Sequence, residues 1–439
     1  MNHIFKTIIP CLCLFMLALP SLAQTHTAFK KGDRWCAIGN SITHRGKYLE
    51  MVYLYYITRY PTQQFLLFNC GAGGDTATGT LTRRMDGDIL VHQPTISTIM
   101  LGINDIWWEK SGLFSKENYS RDLEGIVDRL EKSGSKVILI TPSPYDSSVK
   151  STEPVDPKRL GLERLVNEVI NLGKKRNIPV VDFYNPMHRI TLEQQAIDST
   201  FTLLTRDRIH TTPLADFLMG YIFIKSTNAT PFVSKLRFNV KHSSISEQIN
   251  CLVSDLAFKE ESIKFSLLEN ALPYPKTAMP DKASLFMDFD NELNQEILQI
   301  EGLTPGKYEL LINDMMIGSF SDSDFSQGVN LATIAHTPQN KQATLLAEII
   351  AEYTSIVENI RYIAMIEYGE LKRRYDIDDI TTPKAHIMKL FKDNVENFDK
   401  YLTLKEKESF WVERADELNK KLWGNNNPQP NSYVIKKVK

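Results

Sequence analysis

Only five cysteines occur in 439 residues, and two of them, Cys11 and Cys13, lie in the first segment. Cys36, Cys70 and Cys251 are too few for a disulfide framework; they allow one pair at most, or three buried free thiols. Charge of one sign is also missing. With 51 Lys and Arg against 53 Asp and Glu the formal net charge is −2, so no basic field awaits nucleic acid or an anionic membrane. Beyond the N-terminal segment no uncharged apolar run approaches the roughly 18 residues of a membrane span. The nine histidines form no HExxH pattern and no cluster with cysteine, which argues against a zinc deacetylase and leaves no metal or other cofactor required. No internal repeat is found. A chain 42% apolar, 10% aromatic and 24% charged, with 21 Gly and 20 Pro, is neither disordered, collagen-like nor a coiled-coil rod. At roughly 150 residues per domain the length allows two or three domains.

The first segment reads as a targeting signal. Lys6 precedes the apolar run Ile8 to Leu19, and Ser21-Leu22-Ala23 puts small residues at −3 and −1 of a cleavage site. The expectation is a signal peptide over 1–23 and an exported chain, periplasmic or extracellular after cleavage near Ala23. Asn118-Tyr119-Ser120 and Asn228-Ala229-Thr230 match the glycosylation sequon by pattern alone.

From Arg34 to about Ser226, short β-branched runs alternate with amphipathic helical stretches. The runs are Trp35–Ile38, Phe65–Phe68, Ile96–Leu101, Lys136–Ile140 and Ile178–Val181; the helical patterns cover Tyr48–Tyr60, Thr78–Val91, Ser120–Ser133 and Lys158–Lys175. Near-continuous apolar strands alternating with helices predict an α/β fold with a doubly wound, parallel five-stranded sheet over 24–230. Ligands of such sheets bind outside the carboxyl ends of the strands. After Asn228 the texture changes. Leu236–Val240 and Ile263–Leu267 alternate as strands, and Tyr308–Ile312 and Met316–Phe320 flank Asn313-Asp314 as a hairpin, giving a β-rich accessory region over 231–335. A helical C-terminal extension is expected over 336–439. Leu346, Ile349, Tyr353, Ile356, Ile360 and Ile363 form one stripe, Thr382-Pro383 opens a second helix, and Trp411, Ala415, Leu418 and Leu422 mark a third ending at Gly424. These helices either cover the catalytic domain or one another, or form a homodimer interface.

Four segments fall at predicted strand ends or loops on one rim. Gly39-Asn40-Ser41-Ile42-Thr43 ends the first strand; its serine is either a helix cap or a nucleophile beside a helix N-terminus. Asn69-Cys70-Gly71-Ala72-Gly73-Gly74-Asp75-Thr76 follows the second strand, and its glycines suit a tight turn or a close backbone approach to a ligand. The spacing fits neither a dinucleotide fingerprint nor a P-loop. Gly102-Ile103-Asn104-Asp105 ends the third strand, where Asn104 either shapes a turn or aims its amide into the cleft. Asp207-Arg208-Ile209-His210 precedes a helix over Leu214–Ile224. Its Asp and His are either a loop salt bridge or an oriented general base.

In order and content these four blocks resemble the SGNH (GDSL-like) hydrolases, over about residues 33–226. The resemblance implies a flavodoxin-like fold, Ser41 as nucleophile, His210 as general base and Asp207 as its orienting partner. It also implies an oxyanion hole from the Ser41 and Gly74 backbone N–H groups and the Asn104 side chain. One departure is Asn40, where the family has Asp; that side chain is expected to organise the turn, not to react. The later part looks similar to C-terminal extensions on secreted bacterial members. The implied activity is two-step hydrolysis of small acyl esters, O-acetyl groups on carbohydrate foremost. Trp107 and Trp108 follow the Asn104 block and serve either as a sugar platform or as surface covered by the C-terminal helices. A lipase or thioesterase, and a non-catalytic glycan-binding protein on a hydrolase scaffold, are the alternatives.

Overall fold

The computed structural model describes residues 28–106, 115–148, 156–259, 262–371 and 395–438. The expected signal segment, Trp107, Trp108 and the start of the Thr382-Pro383 helix lie outside these residues. Five strands, β1 (Arg34–Gly39), β2 (Leu66–Gly71), β3 (Ile96–Met100), β4 (Lys136–Ile140) and β5 (Val180–Val181), form one sheet in the order β2-β1-β3-β4-β5. Every pairing in it is parallel. Alternate side chains of β1 enter two different cores. Trp35 and Ala37 pack with the Lys47–Arg59 and Pro213–Ser226 helices, and Cys36 and Ile38 with the Lys116–Lys132 and Pro157–Arg176 helices. A strand buried on both faces must be apolar at every position, which is why these strands read as continuous runs. Gly39 pairs with Gly71 on one side and Met100 on the other, so β1, β2 and β3 end level and their following loops share one rim.

Two expectations need correction here. The helix expected over Thr78–Val91 is a four-residue turn, Leu81–Arg84, then a π-helical segment Met85–Ile89 and a 3₁₀ turn Leu90–His92. Asp86, Gly87 and Asp88 are weak helix formers, and ion pairs of Arg84 and Asp88 fix the segment instead. β5 shrinks to Val180–Val181 because Pro179 has no N–H to give the ladder.

The rest of the chain builds two further sheets. Four strands run β13-β10-β6-β7, from β6 (Phe232–Asn239), β7 (Ser244–Ile249), β10 (Gln295–Glu301) and β13 (Val329–Asn330). Five run β12-β11-β14-β9-β8, from β8 (Cys251–Lys259), β9 (Ser262–Glu269), β11 (Lys307–Ile312), β12 (Met315–Ser321) and β14 (Asn431–Lys437). The two share a core that includes Phe238, Ile300, Phe265, Leu310 and Tyr433. The hairpin turn falls at Asn313-Asp314, both with positive φ (49° and 61°), as a type I′ turn requires. The 336–439 stretch is not helical to its end. β14 returns to the β-rich region and lies between β11 and β9, with Tyr433 and Ile435 buried. The Pro338–Ala364 and Glu408–Asn425 helices cover the unit built on the five-stranded parallel sheet. Leu346, Ile349, Leu418, Leu422 and Trp423 share a core with Trp35 and Tyr53, and Trp423 Nε1 donates to Tyr53 Oη at 3.1 Å. Cys36, Cys70 and Cys251 are buried and unpaired. Among the described residues no helix is long and apolar enough to cross a membrane.

Where these modules meet, two carboxyls are sealed in. Glu269 and Glu296 are each 1% exposed, and Glu269 accepts from Gln339 Nε2 (3.1 Å) and Tyr433 Oη (3.0 Å). Burial raises both carboxyls, and mutual repulsion raises Glu296 further against the partial relief of Arg59. The folded state therefore holds protons that the unfolded chain releases above the ordinary glutamate range. Stability contributed by the neutral pair is full below that range and is lost as pH rises through the raised values, at about 1.4 kcal/mol for each tenfold gain in proton affinity. Glu296→Gln should accordingly melt higher relative to the parent at pH 8 than at pH 5. Parallel melting-temperature curves across that range would show the pair to be ionised when folded.

Candidate active site

The chain turns sharply where β1 ends. Asn40 is extended (φ −94°, ψ −151°) and its Oδ1 accepts the Ile42 N–H at 3.1 Å, capping the short Ser41–Arg45 helix. This is the turn-organising role expected of position 40, met by an amide where a carboxylate is usual. With the cap supplied by Asn40, Ser41 needs no capping bond of its own. Its Oγ lies 2.8 Å from His210 Nε2.

His210 comes from a tight loop before the Pro213–Ser226 helix. Thr205 N–H donates to the His210 carbonyl (2.7 Å), and Leu204 and Thr211 form an isolated bridge, closing the loop at its base. Within it Asp207 Oδ1 accepts the N–H groups of Ile209 (2.9 Å) and His210 (3.0 Å) and the Thr205 hydroxyl (2.9 Å). Asp207 Oδ2 lies 2.5 Å from His210 Nδ1. Burial acts to raise the Asp207 carboxyl, but the bonds from His210, Ile209 and Thr205 prevail and hold it well below the usual carboxylate range. Arg208 sits between them with φ +65° and is anchored by Asp146. The ion pair measures 2.9 Å, and Asp146 N–H donates to the Arg208 carbonyl at 3.2 Å. The Asp207 side chain is 46% exposed and that of His210 32%, so the pair is open to solvent.

The glycine loop stands against the Ser41 helix. A Cβ on Gly71 would lie 2.2 Å from the His44 backbone nitrogen, so this close crossing of β2 and the helix demands glycine. Ala72 N–H donates to the Gly39 carbonyl (3.0 Å), and Asp75 N–H to the Ala72 carbonyl (3.2 Å). These bonds close the turn Ala72-Gly73-Gly74-Asp75, with Gly74 at φ +80°, as at the third residue of a type II turn. Asn104 Nδ2 donates to the Asp75 carbonyl at 2.9 Å. The next residue, Asp105, accepts from Ala77 (3.3 Å) and Thr78 (3.2 Å), and burial pushes its carboxyl up to about 7. Asn104 and Asp105 thus fasten the loop after β3 to the loop after β2.

The structure therefore brings Ser41, His210 and Asp207 into one hydrogen-bonded line, and ties Gly74 and Asn104 together through Asp75. Sequence reasoning missed Asp146, whose partner lies 62 positions away, and the buried Arg84 between Asp75 and Asp88. The i, i+4 spacing of Arg84 and Asp88 was the one local signal for the latter. Among the described residues no group of three or more His, Cys, Asp or Glu side chains could hold a metal ion.

Residues 37–215 match the GDSL-like lipase/acylhydrolase family, which makes this part of the chain a GDSL/SGNH hydrolase domain and the protein an ester hydrolase. It is 24% identical over 217 residues to the acetylxylan esterase of Geobacillus stearothermophilus, covering 44% of this chain and 93% of that protein. Among solved structures it resembles a gut microbial diltiazem-metabolizing enzyme, with a TM-score of 0.84 at 26% identity over 94% of this chain and 100% of the other. A crystal structure of the Geobacillus stearothermophilus acetylxylan esterase aligns at 21% identity over 46% of this chain and 96% of that one, with a TM-score of 0.39.

Asn104→Ala should lower kcat about 10²–10³-fold if its amide holds the oxyanion. The Asp75 carbonyl loses one bond, a modest cost of about 1 kcal/mol. Steady-state kinetics alongside a melting curve check this; a kcat within threefold of the parent in a folded variant excludes that role.

Proposed function

We propose that this chain is an exported serine esterase that removes small acyl groups, acetyl foremost, from carbohydrate. The observation that carries the reading is the line Asp207–His210–Ser41, with contacts of 2.5 and 2.8 Å and a solvent-accessible Asp207–His210 pair. In this reading His210 takes the Ser41 proton as Oγ attacks the ester carbonyl, and Asp207 fixes the imidazole tautomer and steadies the imidazolium. The oxyanion is held by the N–H groups of Ser41 and Gly74 and by Asn104. His210 then protonates the departing alcohol, and a water it activates hydrolyses the acyl-enzyme. The catalytic unit is read as doubly wound, with its cleft outside the carboxyl ends of β1, β2 and β3. Similarity to an acetylxylan esterase supports an O-acetylated glycan as substrate, and the N-terminal segment supports export.

The test is hydrolysis of p-nitrophenyl acetate, butyrate and octanoate, acetylated xylooligosaccharide and diltiazem by the mature protein. Acetyl release from the oligosaccharide, with kcat/KM falling from acetate to octanoate, is expected. A steady rise towards octanoate sinks the carbohydrate reading in favour of a lipase or thioesterase. Turnover of diltiazem with none of the oligosaccharide would move the substrate to small acylated molecules.

A further inference from the structure

The glycine loop is held from outside the catalytic unit. Arg361, near the end of the Pro338–Ala364 helix and 4% exposed, donates from Nε and Nη2 to the Gly71 carbonyl (3.2 and 2.9 Å). The same guanidinium grips both oxygens of Asp88, at 2.5 Å from Nη1 and 3.0 Å from Nη2. Asp88 is shared with Arg84, whose Nη1 lies 2.5 Å away. Arg84 in turn binds Asp75 through Nε (2.8 Å) and Nη2 (2.5 Å), and donates to the Cys70 carbonyl (2.8 Å). Four alternating charges, Arg361–Asp88–Arg84–Asp75, each at most 4% exposed, thus run from one end of the glycine turn to the other. Gly71 is the residue before the turn and Asp75 its last, so Gly73 and Gly74 hang between two arginine anchors. The chain beyond Arg361 adds two contacts. Met365 Sδ lies 3.5 Å from where a Cβ on Gly73 would stand, and the Tyr368 ring lies where a Cβ on Gly87 would.

We propose that the Pro338–Ala364 helix supports the catalytic apparatus, with Arg361 a positioning residue that holds the Gly74 N–H in place for the oxyanion. The inference rests on the serine-esterase reading above. Two glycines in succession give the turn wide backbone freedom, and an oxyanion donor is effective only when fixed before the charge develops. The turn's own bonds are few: one from Ala72, one closing Asp75, and one from Asn104. The forked guanidinium suits the task because it binds a carbonyl and a carboxylate at once in a fixed plane, which an ammonium cannot. Arg361 touches neither substrate nor the reacting atoms. Its effect therefore falls on kcat and leaves KM nearly alone.

The experiment uses the full-length mature chain with Arg361→Lys and Arg361→Met, and Ser41→Ala as the reference. A fluorophosphonate probe reads two things separately: its end point counts folded, competent sites, and its rate constant reads how well the oxyanion loop is set. Arg361→Lys keeps the charge and loses the fork. It is expected to label to the parent's end point, with labelling rate and kcat per labelled site down about 10- to 100-fold and KM within twofold. That loss is smaller than the 10²–10³-fold typical of deleting a donor outright. Arg361→Met, where it folds, should lose at least as much per site. A lower end point with an unchanged rate per site in either variant marks a purely structural arginine and overturns the proposal. So does a parent-like rate in Arg361→Lys. If a folded Ser41→Ala protein keeps more than 1% of parental kcat, the serine-esterase reading itself has failed, whatever Arg361 does.

Discussion

Replacing Ser41 by Ala is expected to lower kcat on p-nitrophenyl acetate by about 10⁶-fold, the scale on which serine nucleophiles fail when removed alone. What remains is the contribution of binding and of the oxyanion donors, still above the rate in water. The fold should not notice. Ser41 is the first residue of its helix, but the cap is the Asn40 side chain, and among the described residues the Ser41 hydroxyl bonds only to a part-exposed His210. Melting temperature should stay within about 2 °C of the parent, as for other single-atom changes outside the packed core. Measuring kcat, melting temperature and fluorophosphonate labelling on the same preparation settles the assignment. A folded Ser41→Ala protein retaining more than 1% of parental kcat would mean that a different residue attacks the ester.

Asp207→Asn is expected to cost about 10⁴-fold in kcat, again without unfolding. The loop can accept the substitution because an Asn side chain still offers one oxygen to the N–H groups of Ile209 and His210 and to the Thr205 hydroxyl. What changes is the other side-chain atom. An amide N–H₂ facing His210 Nδ1 favours the tautomer with its proton on Nε2, the nitrogen that must accept from Ser41. The parent carboxylate stays ionised to well below the usual range, so an acid limb in the parental pH–rate profile belongs to another group. A folded Asp207→Asn protein within tenfold of parental kcat would show that the imidazole is oriented by something else.

Much of this site is legible in the sequence because its parts are local. A strand ending in glycine, a cap, a turn with positive φ and an Asp three residues before a His each announce themselves within a few positions. The register of β1 with β2 and β3 then makes the strand ends level, so local motifs become neighbours without further instruction. The helix expected over Leu214–Ile224, found as Pro213–Ser226, and Asn313-Asp314 in the hairpin were readable for the same reason. Arg361 was not. Its partner Asp88 lies 273 positions away, and on the helix it follows Ile360 as an ordinary basic residue beside the apolar stripe. β14 was hidden differently. Its alternation of Tyr433 and Ile435 is plain in retrospect, but two buried apolar positions after an Asn- and Pro-rich stretch are too short a pattern to outweigh the helices before it. The 85–89 segment misled because its apolar spacing is helical while its aspartates and glycine are not.

The placement of the last strand also bears on when the protein can fold. β14, emerging after all its partners, must enter between β11 and β9 and cannot be added at an edge. Trp423, meanwhile, closes over Tyr53 from 370 positions downstream. A chain still being synthesised therefore holds both a gap in one sheet and an uncovered face on the core of another. Cooperative folding of these units has to wait until Trp423 and β14 have been made, and pairings of such sequence separation make it slow. Until then these apolar surfaces need shielding from one another and from neighbouring chains.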